Sequence, residues 1–388
     1  MALSQRYFPA FSTRDAEQRA YNELGSSILD RIVPVITLTR ERDAPSLQDS
    51  IDSVLQTAAG RQVIVNFDPT PRPIKTAAQI AADRQKTADK RRTQGKDPYS
   101  PTANQEARFQ RQRDVTREYN TWLAGLLNSS GGFAAWRTFA LAAPNVIPVV
   151  QMSDVSQIAA QVNAIKAVDR QMAFHVDVTT PSSLTAFLVA APHLDKADRV
   201  VLILDAGYIR GAVAGAEHRI VGALTAIRSN LAMLFPDMVK VCMAGSFPGY
   251  LADLTSPLDI EERSLYDRVR AAGWDVRYGD HSAVQPRSAQ AGGAGYFAHV
   301  EVAHARQWHF RRSDKKNLQS EFVTCAKELV NDPVAWRGRC TSWGTDMVER
   351  ASRGHLDDGR RPPESFGSAG KWVGPRVNQH ITQQALHP

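Results

Sequence analysis

The sequence predicts an α/β protein, a (β/α)8 TIM-barrel-like fold with a basic helical insertion after strand two and a C-terminal cap. Two observations carry this. Eight short apolar runs, mostly β-branched, recur along the chain, as strands buried on both faces do. Segments with helical apolar spacing lie between them, and that alternation builds a parallel sheet. Eight such units suggest a closed barrel, with an open doubly wound sheet as the alternative. No G-x-G-x-x-G or G-x-x-x-x-G-K-[ST] follows any run, so the usual nucleotide fingerprints are absent.

The strands are expected at 32–38 (IVPVITL), 63–67 (VIVNF), 146–150 (VIPVV), 172–178 (MAFHVDV), 200–204 (VVLIL), 239–243 (VKVCM), 274–278 (WDVRY) and 296–302 (YFAHVEV). Closure then requires 32–38 to pair with 296–302. Helices are expected at 46–57, 156–168, 182–191, 215–235 and 260–272. The first places Leu47, Ile51, Val54 and Leu55 on one face behind Ser46 as N-cap. Pro181 fits the loop-to-helix junction before the third. The barrel spans 1–311, interrupted by the insertion at 70–120. That insertion opens with Pro69, Pro71 and Pro73, breaks at 97–101 (DPYSP) and reads as two helices. Residues 312–388 carry Trp336, Trp343 and Trp372, with Trp308 just upstream, and read as a cap packed on the barrel.

The 388 residues are 43% hydrophobic, ample for a full core. The apolar runs fall far short of the roughly 20 residues that cross a bilayer. The N-terminal stretch has no apolar h-region. Three cysteines without a C-x-x-C pair argue against a disulfide framework and a zinc cage. A cytoplasmic protein without a membrane partner is the expectation. The net charge is +7, and residues 72–119 hold twelve Lys or Arg against six Asp or Glu, a net of +6. The charge sits on an arm. Arg108, Arg111, Arg113 and Arg117 fall at helical spacing among Phe109, Tyr119 and Trp122, a pattern suited to nucleic acid. A solvated helix face is the plainer reading.

In a barrel, side chains at the C-terminal strand ends converge on one mouth. Those ends carry Arg40, Asp68, His175, Asp177, Asp205, Ser246, Asp280, His281, His299 and Glu301. Asp68, Asp177, Asp205, Asp280 and His281 are the candidates for general acid–base work. Asp68, Asp205 and Asp280 are candidates to hold a hard divalent cation, magnesium or manganese. Arg40, His175, Ser246, His299 and Glu301 are candidate ligand contacts. Each has an ordinary alternative. An Asp after a strand often caps the next helix or forms an Asx turn, and His299 with Glu301 makes an ordinary ion pair.

Several phrases together resemble the beta protein family, named after a satellite-phage protein. They are TSWGTDMVERASRG at 341–354, KWVGPRVNQHIT at 371–382, YGDHSAVQPR at 278–287, and YFPAF followed by a helix and IVPVITL. The resemblance runs over most of the chain, the basic insertion excepted. It implies a (β/α)-barrel encoded in prophages or anti-phage defence loci. Positions carried over are Asp280, Ser342, Trp343, Gly344, Asp346, Asn378, Gln379 and His380, of which Asn378 and His380 join the candidate ligand contacts. Where family members often place an acid after strand one, this chain has Thr39-Arg40. The expectation is a phage-conflict protein with a barrel-mouth site for a phosphate-containing ligand. It is either a metal-assisted hydrolase of nucleotide or nucleic acid, or a non-catalytic sensor or antitoxin-like regulator. The regulator would bind a phage component or a partner protein from the same locus.

Overall fold

The computed structural model describes residues 3–41, 44–97, 101–249, 251, 254–285, 297–316, 318–360 and 363–387. Tyr296, at the start of the eighth expected strand, and residues 98–100 of the expected break lie outside them. The strands are β1 (Tyr7–Ser12), β2 (Val35–Leu38), β3 (Val63–Phe67), β4 (Val146–Pro148), β5 (Met172–Asp177), β6 (Val200–Tyr208), β7 (Val239–Gly245), β8 (Leu258–Asp259), β9 (Arg277–Asp280), β10 (Phe297–Ala303) and β11 (Gln307–Lys316). Eight of them form a parallel sheet in the order β4-β3-β2-β1-β9-β7-β6-β5. A parallel bridge from Val149 to Ala173 brings the outer edges together. The sheet is nearly closed into a barrel with helices around it.

Two strand expectations are corrected. The segment 32–38 is the second barrel strand, and β1 precedes it. The expected eighth strand is outside the barrel: β10 pairs antiparallel with β11, which pairs antiparallel with β8. The first and last barrel strands therefore pair as β1 and β9, with Tyr7 beside Tyr278 and Pro9 beside Asp280. The sequence of β10 held the cue. Ala298, Val300 and Val302 are buried while Phe297 and His299 stay partly open, the alternation of a strand with one covered face.

The register sets which side chains fill the barrel. Phe8, Ala10, Val35, Ile64, Ile147, Ala173, Val201, Ile203, Val241 and Met243 belong to one interior cluster. Side chains alternate between faces along a strand. Gly279 pairs with Phe8 and Met243, and Asp205 pairs with Met243, so Gly279 and Asp205 share the interior face. A Cβ on Gly279 would lie 2.6 Å from Val241 Cγ1 and 3.2 Å from the Phe8 carbonyl oxygen. Only glycine fits there.

The expected boundary between 311 and 312 falls inside β11. Beyond it, helices Ser320–Asn331 and Trp343–Ser352 pack with β10 in a separate core containing Phe322, Val348 and Trp372. The last helix, Ala369–Leu386, lies on the outer barrel wall. Its Val377, Ile381 and Ala385 pack with Tyr7, Phe11 and Tyr278, the residues of β1 and β9 that alternate with the interior set. This helix covers the seam between the first and last barrel strands.

The insertion forms two helices, Ala77–Thr93 and Ala103–Leu127, each opened by a capping box, at Thr76 with Gln79 and at Thr102 with Gln105. The first buries none of its residues. The second is anchored at its C-terminal half, where Tyr119, Leu123 and Leu126 join the barrel's outer core. None of the helices among the described residues is long and apolar enough to cross a membrane.

Candidate functional site

The sequence GDH at the end of β9 splits into two chemistries. Alternation sends Gly279 and His281 inward and Asp280 outward. His281 meets Asp205 at the C-terminal end of β6, and Asp280 meets the helix layer.

At the mouth, one carboxylate lies between two imidazoles. Asp205 Oδ2 is 2.8 Å from His175 Nε2, and Oδ1 is 3.0 Å from His281 Nε2. Oδ1 also accepts from the Gly207 backbone N–H at 2.8 Å. Burial pushes the Asp205 carboxyl up, but the imidazoles of His281 and His175 outweigh it and hold the carboxyl well below the usual range. Burial pushes the His281 imidazole down, and Asp205 outweighs that, so its net shift is upward. The side chains of His175 and His281 remain 28% and 15% exposed. The cluster is therefore an ionic centre that solvent still reaches. With each Nε2–H donated to Asp205, the opposite ring nitrogens are turned away from the carboxylate.

A second group is fully buried on the other side of the wall. Asp280 accepts from the Tyr7 hydroxyl at 2.9 Å and from the Ser282 N–H at 2.8 Å, and its Oδ2 is 2.9 Å from His380 Nε2. Burial pushes the Asp280 carboxyl up, and His380 more than offsets this. Glu262 lies beside them, accepting from the Ser246 hydroxyl. Burial and the Asp280 charge both push its carboxyl up. Trp308 stacks on the His380 ring at 5.2 Å.

The remaining expected residues are placed as follows. Asp68, buried, accepts from the Thr70 N–H at 3.2 Å, and Asp177 accepts from Thr179 and Thr180. Both form Asx-type turns. Asp68, Asp205 and Asp280 do not converge. Asp205 and Asp280 face opposite sides of the wall, and the three do not form a cluster of ligand atoms. Ser246 bonds Glu262 and receives the Glu261 N–H at 3.0 Å, and it is 1% exposed. That leaves it spent on a loop. His299 and Glu301 pair on β10, where Arg376 of the last helix also approaches Glu301 at 3.5 Å. Arg40 ties β2 to the insertion through the Ala44 carbonyl and Thr116, with Tyr119 under its guanidinium. Arg108, Arg111 and Arg117 are exposed. Arg113 donates to Gln110 and Arg117 to Asp114. Tyr119 is buried and Trp122 packs against the barrel, so of the three aromatics only Phe109, 41% exposed, is free to stack on a base.

Sequence reasoning missed Glu262, Arg263 and Arg376. The Glu261-Glu262 pair opening the helix Glu261–Ala271 was the available signal. Arg263 lies over the Tyr278 ring at 3.8 Å and holds Gln384 and the His387 carbonyl, fastening the end of the last helix.

A family model described as Beta protein matches residues 7–386. The chain belongs to the Beta protein family. It is similar to Protein beta of Enterobacteria phage P4, with 24% identity over 392 residues, covering 97% of this chain and 92% of the phage protein. No solved structure matches. The two tail phrases of that resemblance, 341–354 and 371–382, are packing devices around the last helix. A Cβ on Gly344 would lie 2.1 Å from the Pro375 carbonyl oxygen, and one on Gly374 would lie 3.0 Å from that of Ala16. Asn378 accepts from the Gly344 N–H and donates to the Ala20 carbonyl, both at 3.0 Å. Gln379 donates to the Glu301 carbonyl at 3.2 Å. His380 reaches Asp280. Three consecutive residues thus staple the last helix to four neighbours, Gly344, Ala20, Glu301 and Asp280.

Proposed function

We propose that this Beta-family chain is a phage-conflict protein whose barrel mouth binds a phosphate-containing ligand, with His175 and His281 as donors and Asp205 orienting them. The supporting observation is the single carboxylate held between two partly open imidazoles at the C-terminal end of the barrel, the face where such folds bind ligands. Imidazole N–H groups fixed by a carboxylate suit a phosphate oxygen. Exposed Arg108, Arg111 and Arg117 would extend such a site toward a nucleotide or nucleic acid through the insertion.

Of the two mechanistic readings, binding without a metal is favoured. The Asp205 oxygens already accept from His175, His281 and the Gly207 N–H. A metal-assisted hydrolase built on Asp68, Asp205 and Asp280 would need those carboxylates on one face. The sensor or antitoxin-like reading needs only the imidazoles. If the mouth does turn over its ligand, His175 is the proton-handling group, because it is the most open member of the cluster.

Isothermal titration with pyrophosphate, ATP and a short single-stranded RNA, in the absence of metal, tests this reading. Saturable binding that Asp205→Asn weakens supports it. No binding to any of the three, or binding untouched by Asp205→Asn, overturns it. Release of inorganic phosphate during the same titration would decide for the hydrolase.

A further inference from the structure

The buried group at the barrel seam is independent of the mouth and of the function proposed for it. Among the described residues, Glu262, Asp280 and His380 are the cluster that brings ligand atoms within 4.8 Å of one another. They are 2%, 0% and 0% exposed. They arrive from three separate parts of the chain: the helix Glu261–Ala271, the end of β9, and the last helix. Two carboxylates that close, shielded from solvent, repel and lose their hydration. A buried ion of that kind persists only when paired or neutralised.

We propose that Glu262, Asp280 and His380 form a structural divalent-cation site that clasps the last helix onto the barrel seam. Two carboxylate oxygens and one imidazole nitrogen suit zinc or manganese. His380 supplies the second observation. The ring nitrogen that faces the carboxylates is Nε2, 2.9 Å from Asp280 Oδ2, and a cation between the three side chains would take the place of that contact. Nδ1, on the other side of the fully buried ring, has no hydrogen-bond partner among the described residues, a rare condition for a buried polar atom. Ligation takes up the charge of both carboxylates, and any proton on Glu262 leaves to solvent as the cation enters. The Ser246 hydroxyl and the Tyr7 hydroxyl then serve as outer contacts that orient Glu262 and Asp280. The site is closed to solvent, so it holds a structural ion and not a catalytic one, and loading takes place as the last helix docks.

The experiment uses the untagged full chain, denatured with chelator and refolded with zinc, with manganese, or with neither. Metal content is then measured by mass spectrometry after desalting, and the melting temperature by calorimetry. The expected result is about one tightly held ion per chain and a higher melting temperature in one of the two metal arms. Glu262→Gln, an isosteric match for the protonated acid, should fold without metal and hold none. His218→Ala, at an exposed histidine on the helix Val213–Asn230, should retain the ion. A wild-type chain that refolds fully with no bound metal and the same melting temperature in all arms overturns the proposal. So does a Glu262→Gln chain that binds as much as wild type.

Discussion

Asp280 and His281 are adjacent in sequence and serve opposite sides of the barrel wall. Asp280 reaches His380 at 2.9 Å in the outer layer, and His281 reaches Asp205 at 3.0 Å at the mouth. One residue of register separates a packing contact from a candidate ligand contact.

Asp205 should carry a pH signature. Its carboxyl is held below the usual range in the folded chain, so its ionic contacts stabilise the fold above the unfolded value of about 3.9. That contribution is lost as pH falls through the folded value. Asp205→Asn should cost about 1–3 kcal/mol at neutral pH. Urea unfolding of both chains from pH 7 to pH 3 should show the difference shrinking at the acid end. A difference that is flat or grows toward pH 3 would contradict the assignment.

Gly279→Ala should destabilise by overpacking, about 1–3 kcal/mol, because its Cβ would meet Val241 Cγ1 at 2.6 Å. Adding Val241→Ala, which opens that space, should make the double variant less destabilised than the sum of the two single variants. Simple additivity in calorimetric melts would place the Gly279 constraint elsewhere.

Asn378→Ala removes both partners of a buried bracket between Gly344 and Ala20. It should cost about 2–4 kcal/mol, from two hydrogen bonds and the groups left unpaired. Hydrogen exchange should show the last helix opening before the barrel strands. Uniform loss of protection across β5 to β7 would argue that the helix is no separate unit.

The insertion can be tested by charge alone. Because Tyr119 is buried against the barrel, deleting 72–119 would remove part of the core, so substitution is the cleaner route. Arg108→Gln with Arg111→Gln and Arg117→Gln should leave the fold intact. If the arm binds RNA, these changes should flatten the slope of log affinity against log salt by about 0.7 for each phosphate no longer neutralised. An unchanged slope removes the arm from the account.

The barrel was legible because seven of its strands are apolar runs that keep their meaning whatever they pair with. The strand β1 was not, because YFPAFS holds no β-branched residue and Pro9 lacks a backbone donor. Here it sits between β2 and β9. The sequence 296–302 has strand composition, but composition does not name a partner, and β10 found an antiparallel one. The site was half legible. Each strand-end residue could be named, but whether Asp205 and Asp280 shared a face depended on a register that strand composition alone does not specify. Asn378, Gln379 and His380 read as a polar patch suited to a ligand, and proved to be staples whose partners lie far away in sequence.

Contact of His175 and His281 with a phosphate at the mouth is read most directly by nitrogen-resolved NMR of the chain labelled with 15N-histidine, titrated with pyrophosphate. The ring signals of His175 and His281, assigned by His175→Ala and His281→Ala, should move together and saturate, and Asp205→Asn should remove both movements. Shifts confined to other histidines, such as exposed His218, or no shift at all, would contradict it.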